Sequence, residues 1–329
     1  MSEPPRKRVL TVGESMGLLD PTVDGLPDLH TAFRLRVAGA ESNYAIALAR
    51  LGVDVTWVSS LGRDSLGDVV LDAVRGEGVD VSQVSRRSDA PTGLFMKWRH
   101  GGQSHVAYYR AGSAASLMQP EDVGEEVLDG VDHLHLTGIT LAIGSGPRVL
   151  ACSLASRARA RGIPMSFDPN YRPALWRGAD EAHRAHRALF DCTSWYLSGL
   201  DEACRLFGVN THPRPNESHL GDLFEAMEGE RLSNAVVRVG ARGAVVKAGS
   251  KTWSVIPDRI EDVYDEIGAG DAFAAGFTYG LLYGRSPRDC GHCGNVVASH
   301  ALRGTGDWET LPHLEEVRDR FRQEEGDRP

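Results

Sequence analysis

The chain has 329 residues, 41% hydrophobic and 25% charged, proportions of an ordinary globular protein that exclude a fibrous or disordered class. Its net charge of −9, from 45 acidic against 36 basic residues, argues against a general binder of nucleic acid or membrane surfaces while leaving room for local basic pockets. No run of about 18 apolar residues occurs, so no spanning helix is expected, and the polar opening MSEPPRKR does not read as a signal peptide.

Arg8–Gly13 reads as a strand, and Ser42–Leu51 as a helix that Gly52 closes. Val53–Ser60 is strand-like, Leu66–Arg75 helical and Val131–Leu136 again a strand. Pro147–Arg161 predicts a helix stopped by Gly162, ahead of strand Ile163–Asp168; strand Thr193–Leu197 then leads into helix Asp201–Phe207. Ala235–Val239 and Ala244–Lys247 flank the turn Gly240-Ala241-Arg242-Gly243 as a hairpin. Ala269–Tyr283, Pro287–Leu302 and His313–Arg322 complete the helices. This alternation predicts an α/β fold with a doubly wound, mostly parallel sheet and helices on both faces.

Two stretches break the rhythm. Segments 15–37 and 91–112 hold short alternating runs, GLFMKWR and SHVAYYR among them, around the turn His100-Gly101-Gly102-Gln103. They predict a small β-sheet lid at the carboxyl end of the main strands, where open α/β sheets bind ligands. Because its pieces are non-contiguous, the lid belongs to one domain spanning 1–329. Pro213-Arg214-Pro215 reads as a loop, and Glu324–Pro329 as a frayed tail. Five cysteines, an odd number in so long a chain, point to a reducing, cytoplasmic setting.

The segment YDEIGAGDAFAAGF carries the chemistry. Glycines at a helix start let backbone N–H groups converge where the helix dipole is positive, which suits an anion or developing negative charge. Asp271, one turn in, is placed to take a proton from a hydroxyl beside that anion, the arrangement phosphoryl transfer to an alcohol needs. The blander alternative is an aspartate that complements the dipole beside glycines that serve packing. No G-x-x-x-x-G-K-[ST] occurs, and no G-x-G-x-x-G follows the first strand, so Walker-type and dinucleotide folds are disfavoured.

Two signatures together resemble the ribokinase-like (pfkB) carbohydrate kinases: AGAESNYAIALARLG, residues 38–52, and DEIGAGDAF, residues 265–273. The resemblance covers essentially the whole chain and implies a three-layer α/β/α fold with a β-sheet lid, ATP and Mg²⁺ as cofactors, and a small sugar as acceptor. It implies Asp271 as base and Gly268, Ala269 and Gly270 as the amide cradle for the moving phosphoryl group. Two departures stand out. Ala38 replaces the first of two usual glycines, and Gly199 stands where an N-x-x-E motif would have asparagine. Glu202 of that motif is kept, as an organiser of metal-bound water or as a solvated acid at a helix start.

AGAESN, YYRAGSAAS and FDPNYRPALW resemble the 2-keto-3-deoxygluconate kinase branch of the family. By that likeness Gly39, Tyr108, Arg110 and Arg172 contact a sugar acid, with Asn170 and Asp307 as further candidates. Ser198, Gly240, Gly243 and Asn295 border the nucleotide. Glu41 in the first signature also bears on the acceptor. Two arginines from separate segments suit a carboxylate better than a neutral sugar, although surface ion pairing is the usual fate of arginine. The expected reaction is phosphorylation of the terminal hydroxyl of 2-keto-3-deoxygluconate. A neutral-sugar kinase such as a fructokinase or ribokinase, or a sugar-binding regulator, stays open. A lid sheet with open edges suits a homo-oligomer, a dimer through the lid or larger. Cys290-Gly291-His292-Cys293 has no second pair to complete a zinc site, and His183 and His186 read as a solvated helix face.

Overall fold

Val9, Leu10 and Val12 are all buried in the first strand, β1 (Arg8–Val12), which has a parallel partner on each edge. A strand enclosed on both faces shows water no polar side, so its sequence is a continuous apolar run. The chain continues through β2 (Met16–Pro21), β3 (Phe33–Ala38), α1 (Ala40–Arg50), β4 (Asp54–Gly62), α2 (Ser65–Gly76), β5 (Val84–Arg87), β6 (Leu94–His100) and β7 (Gln103–Tyr109). Next come β8 (His133–Thr137), α3 (Gly138–Ala142), α4 (Ser145–Ala160), β9 (Met165–Asp168), α5 (Ala179–Phe190), β10 (Trp195–Gly199), α6 (Leu200–Phe207) and α7 (Glu217–Gly229). The last elements are β11 (Asn234–Arg238), β12 (Ala244–Ala248), β13 (Lys251–Val255), α8 (Ala269–Leu282), α9 (Pro287–Ala301) and α10 (Leu314–Arg322).

The computed structural model describes residues 6–101, 103–210, 217–258 and 267–322. Gly102 of the expected turn, the Pro213-Arg214-Pro215 loop, Asp265 and Glu266 of the second signature and the Glu324–Pro329 tail lie outside the described residues. Among the described residues the large sheet runs β13-β12-β11-β10-β9-β8-β1-β4-β5. β12 and β13 are antiparallel additions to an otherwise parallel sheet. Alternate side chains enter opposite cores. Val9, Val55, Trp57, Leu197 and Val236 pack with α1, α2, α8 and α9, while Leu10, Val58, Tyr196, Ala235 and Val237 pack with α4, α5, α6 and α7. That alternation is the expected three-layer α/β/α arrangement.

The chain reverses its direction of growth across the sheet at β1 and β8, and a ligand crevice belongs beyond the strand ends at such a point. There the second sheet stands, in the order β3-β2-β6-β7, around buried Met16, Leu18, Ala38 and Phe95. Its two outer pairs, β2 with β3 and β6 with β7, are antiparallel, as hairpin strands require.

Most of α8 is buried from Ala272 to Gly280 and lies against α9. Glycines make that approach possible. A Cβ on Gly276 would sit 2.4 Å from the carbonyl oxygen of Cys293, and one on Gly280 2.9 Å from the Cα of Cys290. Cys290 and Cys293 are buried packing residues at this seam. The histidine expectation needs correction. His186 is fully buried against Phe167 and Trp176, and burial drives its pKa down to about 3; His183 is largely covered beside Glu230. α5 therefore turns this face inward.

Gly276→Ala should cost about 1–3 kcal/mol of stability because backbone must move to admit the methyl group. Gly221→Ala, at an exposed interior position of α7 with open space around it, should gain about 0.5–1 kcal/mol. Urea midpoints at unchanged m-value check both; equal effects would show that the α8–α9 seam is loose.

Candidate active site

Gly268 opens α8 at φ 78°, in the left-handed region that glycine adopts without strain, and a Cβ there would lie 2.3 Å from the carbonyl oxygen of Asp307. Gly268 at the cap position has no side chain to satisfy the first amides of α8, which lie at the positive end of the helix dipole. The three residues that the resemblance implies as a cradle, Gly268, Ala269 and Gly270, thus occupy the cap and first turn of α8.

Asp271 sits in the first turn of α8 with a part-exposed side chain. Asn43 of α1 donates through Nδ2 to its Oδ2 at 2.9 Å, and Asn170 donates through Nδ2 to its Oδ1 at 3.3 Å. Asn170 holds φ 36°, a left-handed conformation that asparagine tolerates better than most residues. Burial raises the Asp271 carboxyl to about 7; the Asn43 hydrogen bond opposes the rise, Asp168 adds to it, Arg172 opposes it and Asp307 adds to it. A carboxyl that titrates near neutrality is matched to accept a proton there. Merely complementing the dipole would not need two amides to aim it.

Beside it lies an ion network at the carboxyl ends of β9, β10 and β11. Arg238 donates to Asp168 Oδ2 at 2.8 Å and to Glu202 Oε1 at 3.3 Å. Asp168 Oδ1 accepts from the Asn170 amide, Glu202 Oε2 from the Tyr171 amide, and Glu202 Oε1 also from the Gly199 amide. Burial, then Asp168, raises the Glu202 carboxyl, with Arg238 opposing. Glu202 thus ties the start of α6 to Arg238. Its oxygens are committed inside the protein, and among the described residues no group of three or more His, Cys, Asp or Glu is arranged to hold a metal. Octahedral Mg²⁺ usually keeps waters and rides on nucleotide phosphates.

The two candidate arginines have different surroundings. Arg110, buried just past β7, is ion-paired with Glu14, which also accepts from Ser113 Oγ; the guanidinium lies 5.7 Å over the Tyr108 ring. Arg172 is exposed, lies two residues from Asn170, and pairs with no carboxylate among the described residues. Gly39 precedes α1, and a Cβ on it would lie 2.3 Å from the Glu14 carbonyl oxygen, so close approach requires glycine there. Ala38 ends β3 without positive φ, so the Ala-Gly opening carries no strain. Asp307 is buried, with Oδ2 3.5 Å from Asn43 Nδ2. Glu41 is not in the cleft: it is fully buried and accepts from Thr137 at 2.5 Å and Thr140 at 2.8 Å.

On the other flank, Gly240 at φ 63° and Gly243 at φ 87° form the β11–β12 connection. Asn295 Nδ2 donates to the Val255 carbonyl at 2.9 Å beside Gly243. Ser198 is fully buried inside the sheet, its hydroxyl 3.5 Å from the Val236 carbonyl, so that side chain faces the core rather than a nucleotide.

The sequence pattern of the pfkB family carbohydrate kinases matches residues 6–314. The chain belongs to that family. A 2-dehydro-3-deoxygluconokinase from Bacillus subtilis is 34% identical over 313 residues, 94% of this chain and 93% of its own. Another so named from Thermoproteus tenax is 31% identical, covering 94% and 92%. A crystal structure of a PfkB protein from Polaromonas sp. JS666 superposes with a TM-score of 0.82 at 34% identity, over 95% of this chain and 99% of that one. The protein is thus an ATP-dependent carbohydrate kinase.

The kinase brings Asp271, Asn170 and Asp307 together about Asn43, with Gly39 just before Asn43's helix, Gly268 against Asp307, Ala269 and Gly270 in the turn that carries Asp271, and Arg172 two residues beyond Asn170. Reading the sequence did not single out Asn43, Glu14 or Arg238. Asn43 lay within the quoted AGAESN, and Arg238 was legible as a charge ending an apolar strand just before the VGARG turn.

Because the folded Asp271 carboxyl titrates near 7 rather than the usual 3.8, its ionisation costs stability, and that cost grows as pH rises from about 4 through 7. Asp271→Asn should therefore be more stable than the parent at pH 8, with the gain vanishing toward pH 4. Denaturation midpoints across that range check this; a variant less stable at pH 8 would contradict the burial-raised carboxyl.

Proposed function

We propose that the enzyme transfers the γ-phosphoryl group of ATP to the terminal hydroxyl of 2-keto-3-deoxygluconate. The observation that carries the acidic acceptor is Arg172, an exposed guanidinium that pairs with no carboxylate among the described residues and is close enough to Asp271 to lower its pKa. An arginine without a carboxylate of its own is suited to hold one from a ligand through two parallel hydrogen bonds. The relatives' printed names point the same way.

In this reading the sugar acid lies between the small sheet and the start of α8, with Tyr108 and Gly39 along its length. Asp271 takes the proton of the terminal hydroxyl as its oxygen bonds to the γ-phosphorus. The bond from that phosphorus to the β-bridging oxygen breaks, and ADP leaves. The open amides at Gly268–Gly270 stabilise charge on the phosphoryl oxygens. Asn43 and Asn170 keep the carboxylate aimed, which supplies positioning rather than charge. The small sheet acts as a lid that shields the phosphoryl group from water.

A neutral acceptor such as fructose or ribose is the competing reading, and the Glu14–Arg110 pair favours it, since that pair leaves one arginine uncommitted. ADP release across a panel of acidic and neutral sugars distinguishes the two. Arg172→Ala should raise KM for the acid by about 10- to 100-fold, the worth of a charge-assisted hydrogen bond, with KM for ATP unchanged. Arg110→Ala should instead lower thermal stability, because it strands Glu14 buried and unpaired. Preference for a neutral sugar, or equal losses for both ligands in Arg172→Ala, would overturn the acceptor assignment.

A further inference from the structure

Gly199 and Arg238 are direct cross-strand partners, the last residues of β10 and β11. A residue without a side chain stands beside one of the largest, at the carboxyl edge of the sheet where the cleft lies. A Cβ on Gly199 would already sit 3.3 Å from Glu202 Oε1, the oxygen that holds Arg238. Any longer side chain at 199 would push into that pairing. A Cβ on Gly270 would lie 3.5 Å from Arg238 Nη2, so the guanidinium lies against the last residue of the amide cradle. The same side chain thus faces Gly199 on one strand and Gly270 on the helix.

We propose that Arg238 is a catalytic residue that hydrogen-bonds the transferred phosphoryl group from beneath the cradle, and that position 199 is glycine to admit it. This rests on the kinase reading but on no particular acceptor. Gly199 itself brings no side chain to this point, and its cross-strand partner Arg238 is the long polar side chain beside it. Asp168 and Glu202 cancel much of the guanidinium's charge at long range, yet each takes only one of its donors. A guanidinium has five N–H groups. What remains is a set of spare donors fixed in direction, the preorganised form of charge stabilisation that costs no reorientation during reaction. Because arginine keeps its proton at any working pH, the donors are always present. Glu202 then serves as a positioning residue for Arg238.

The test uses the full chain and whichever sugar supports ADP release, with single-turnover rate, ATP affinity and melting temperature measured for Arg238→Met, Arg238→Lys, Gly199→Asn and the double variant Gly199→Asn/Arg238→Met. Arg238→Met should lower the rate by about 10² to 10³, the usual loss for one preorganised donor, with the sugar KM within about threefold of the parent. Gly199→Asn alone should also lose rate, because amide and guanidinium compete for one space. The double variant should regain about tenfold over Arg238→Met, a coupling that a merely structural arginine would not give. A rate within threefold of the parent in Arg238→Met, or a double variant no faster than Arg238→Met, overturns the proposal. If the methionine variant does not fold, Arg238→Lys decides: a rate at least tenfold down at a melting temperature near the parent's supports it, and an unchanged rate overturns it. A parent that releases no ADP with any sugar would instead refute the kinase reading itself.

Discussion

Everything at this site depends on a carboxylate being kept where burial makes it costly. Asp271 lies in the first turn of α8, enclosed enough that its proton is held to about pH 7, while two carboxamides aim its oxygens. The amides come from opposite directions, Asn43 from α1 and Asn170 from the loop after β9. Both packed layers above the sheet's carboxyl edge must therefore be in register for the base to point into the cleft. Electrostatics and fold are coupled at one residue.

The glycines serve the same end. Gly268 takes a conformation other residues avoid and lets the Asp307 carbonyl approach, which brings a second acidic side chain near Asp271 and raises its proton affinity further. Gly276 and Gly280 let α8 settle onto α9, so the helix that carries the base is anchored over most of its length. Asp168, Arg238 and Glu202 occupy the opposite wall, where three parallel strands end side by side. The cleft is thus built from strand ends and one helix start, rigid elements that hold charge in place.

Much of this was legible in the sequence. Apolar runs alternating with helical segments gave the central strands, and the interruption of that rhythm by short period-2 runs gave the small sheet. β13 was missed because it is a half-exposed edge strand: Lys251, Thr252 and Ser254 face water, and only Trp253 and Val255 turn to the core, too few to mark a strand. α3 was missed because its five residues are too few to show a helical period, although Thr137 caps it. The site was legible where one local motif supplied both the residue and its setting, as with Asp271 on its glycine-opened helix. It was not legible where a partner comes from far along the chain: Glu14 against Arg110, Arg238 against Asp168, Asn43 against Asp271. Arg110 looked like a ligand for a substrate carboxylate because nothing local shows that Glu14, 96 residues earlier, already holds it. Histidine 186 was misread for a related reason: its helix carries charged neighbours, but the residue itself turns onto Phe167 and Trp176.

The base assignment is tested most directly by the pH dependence of kcat/KM for the sugar, which reports titration in the free enzyme. With Asp271 as base, kcat/KM should be level above about pH 7.5 and fall by about tenfold per unit below about 6.5. A profile flat from pH 5 to 8, or an acid limb centred near an ordinary aspartate's pKa, would contradict it.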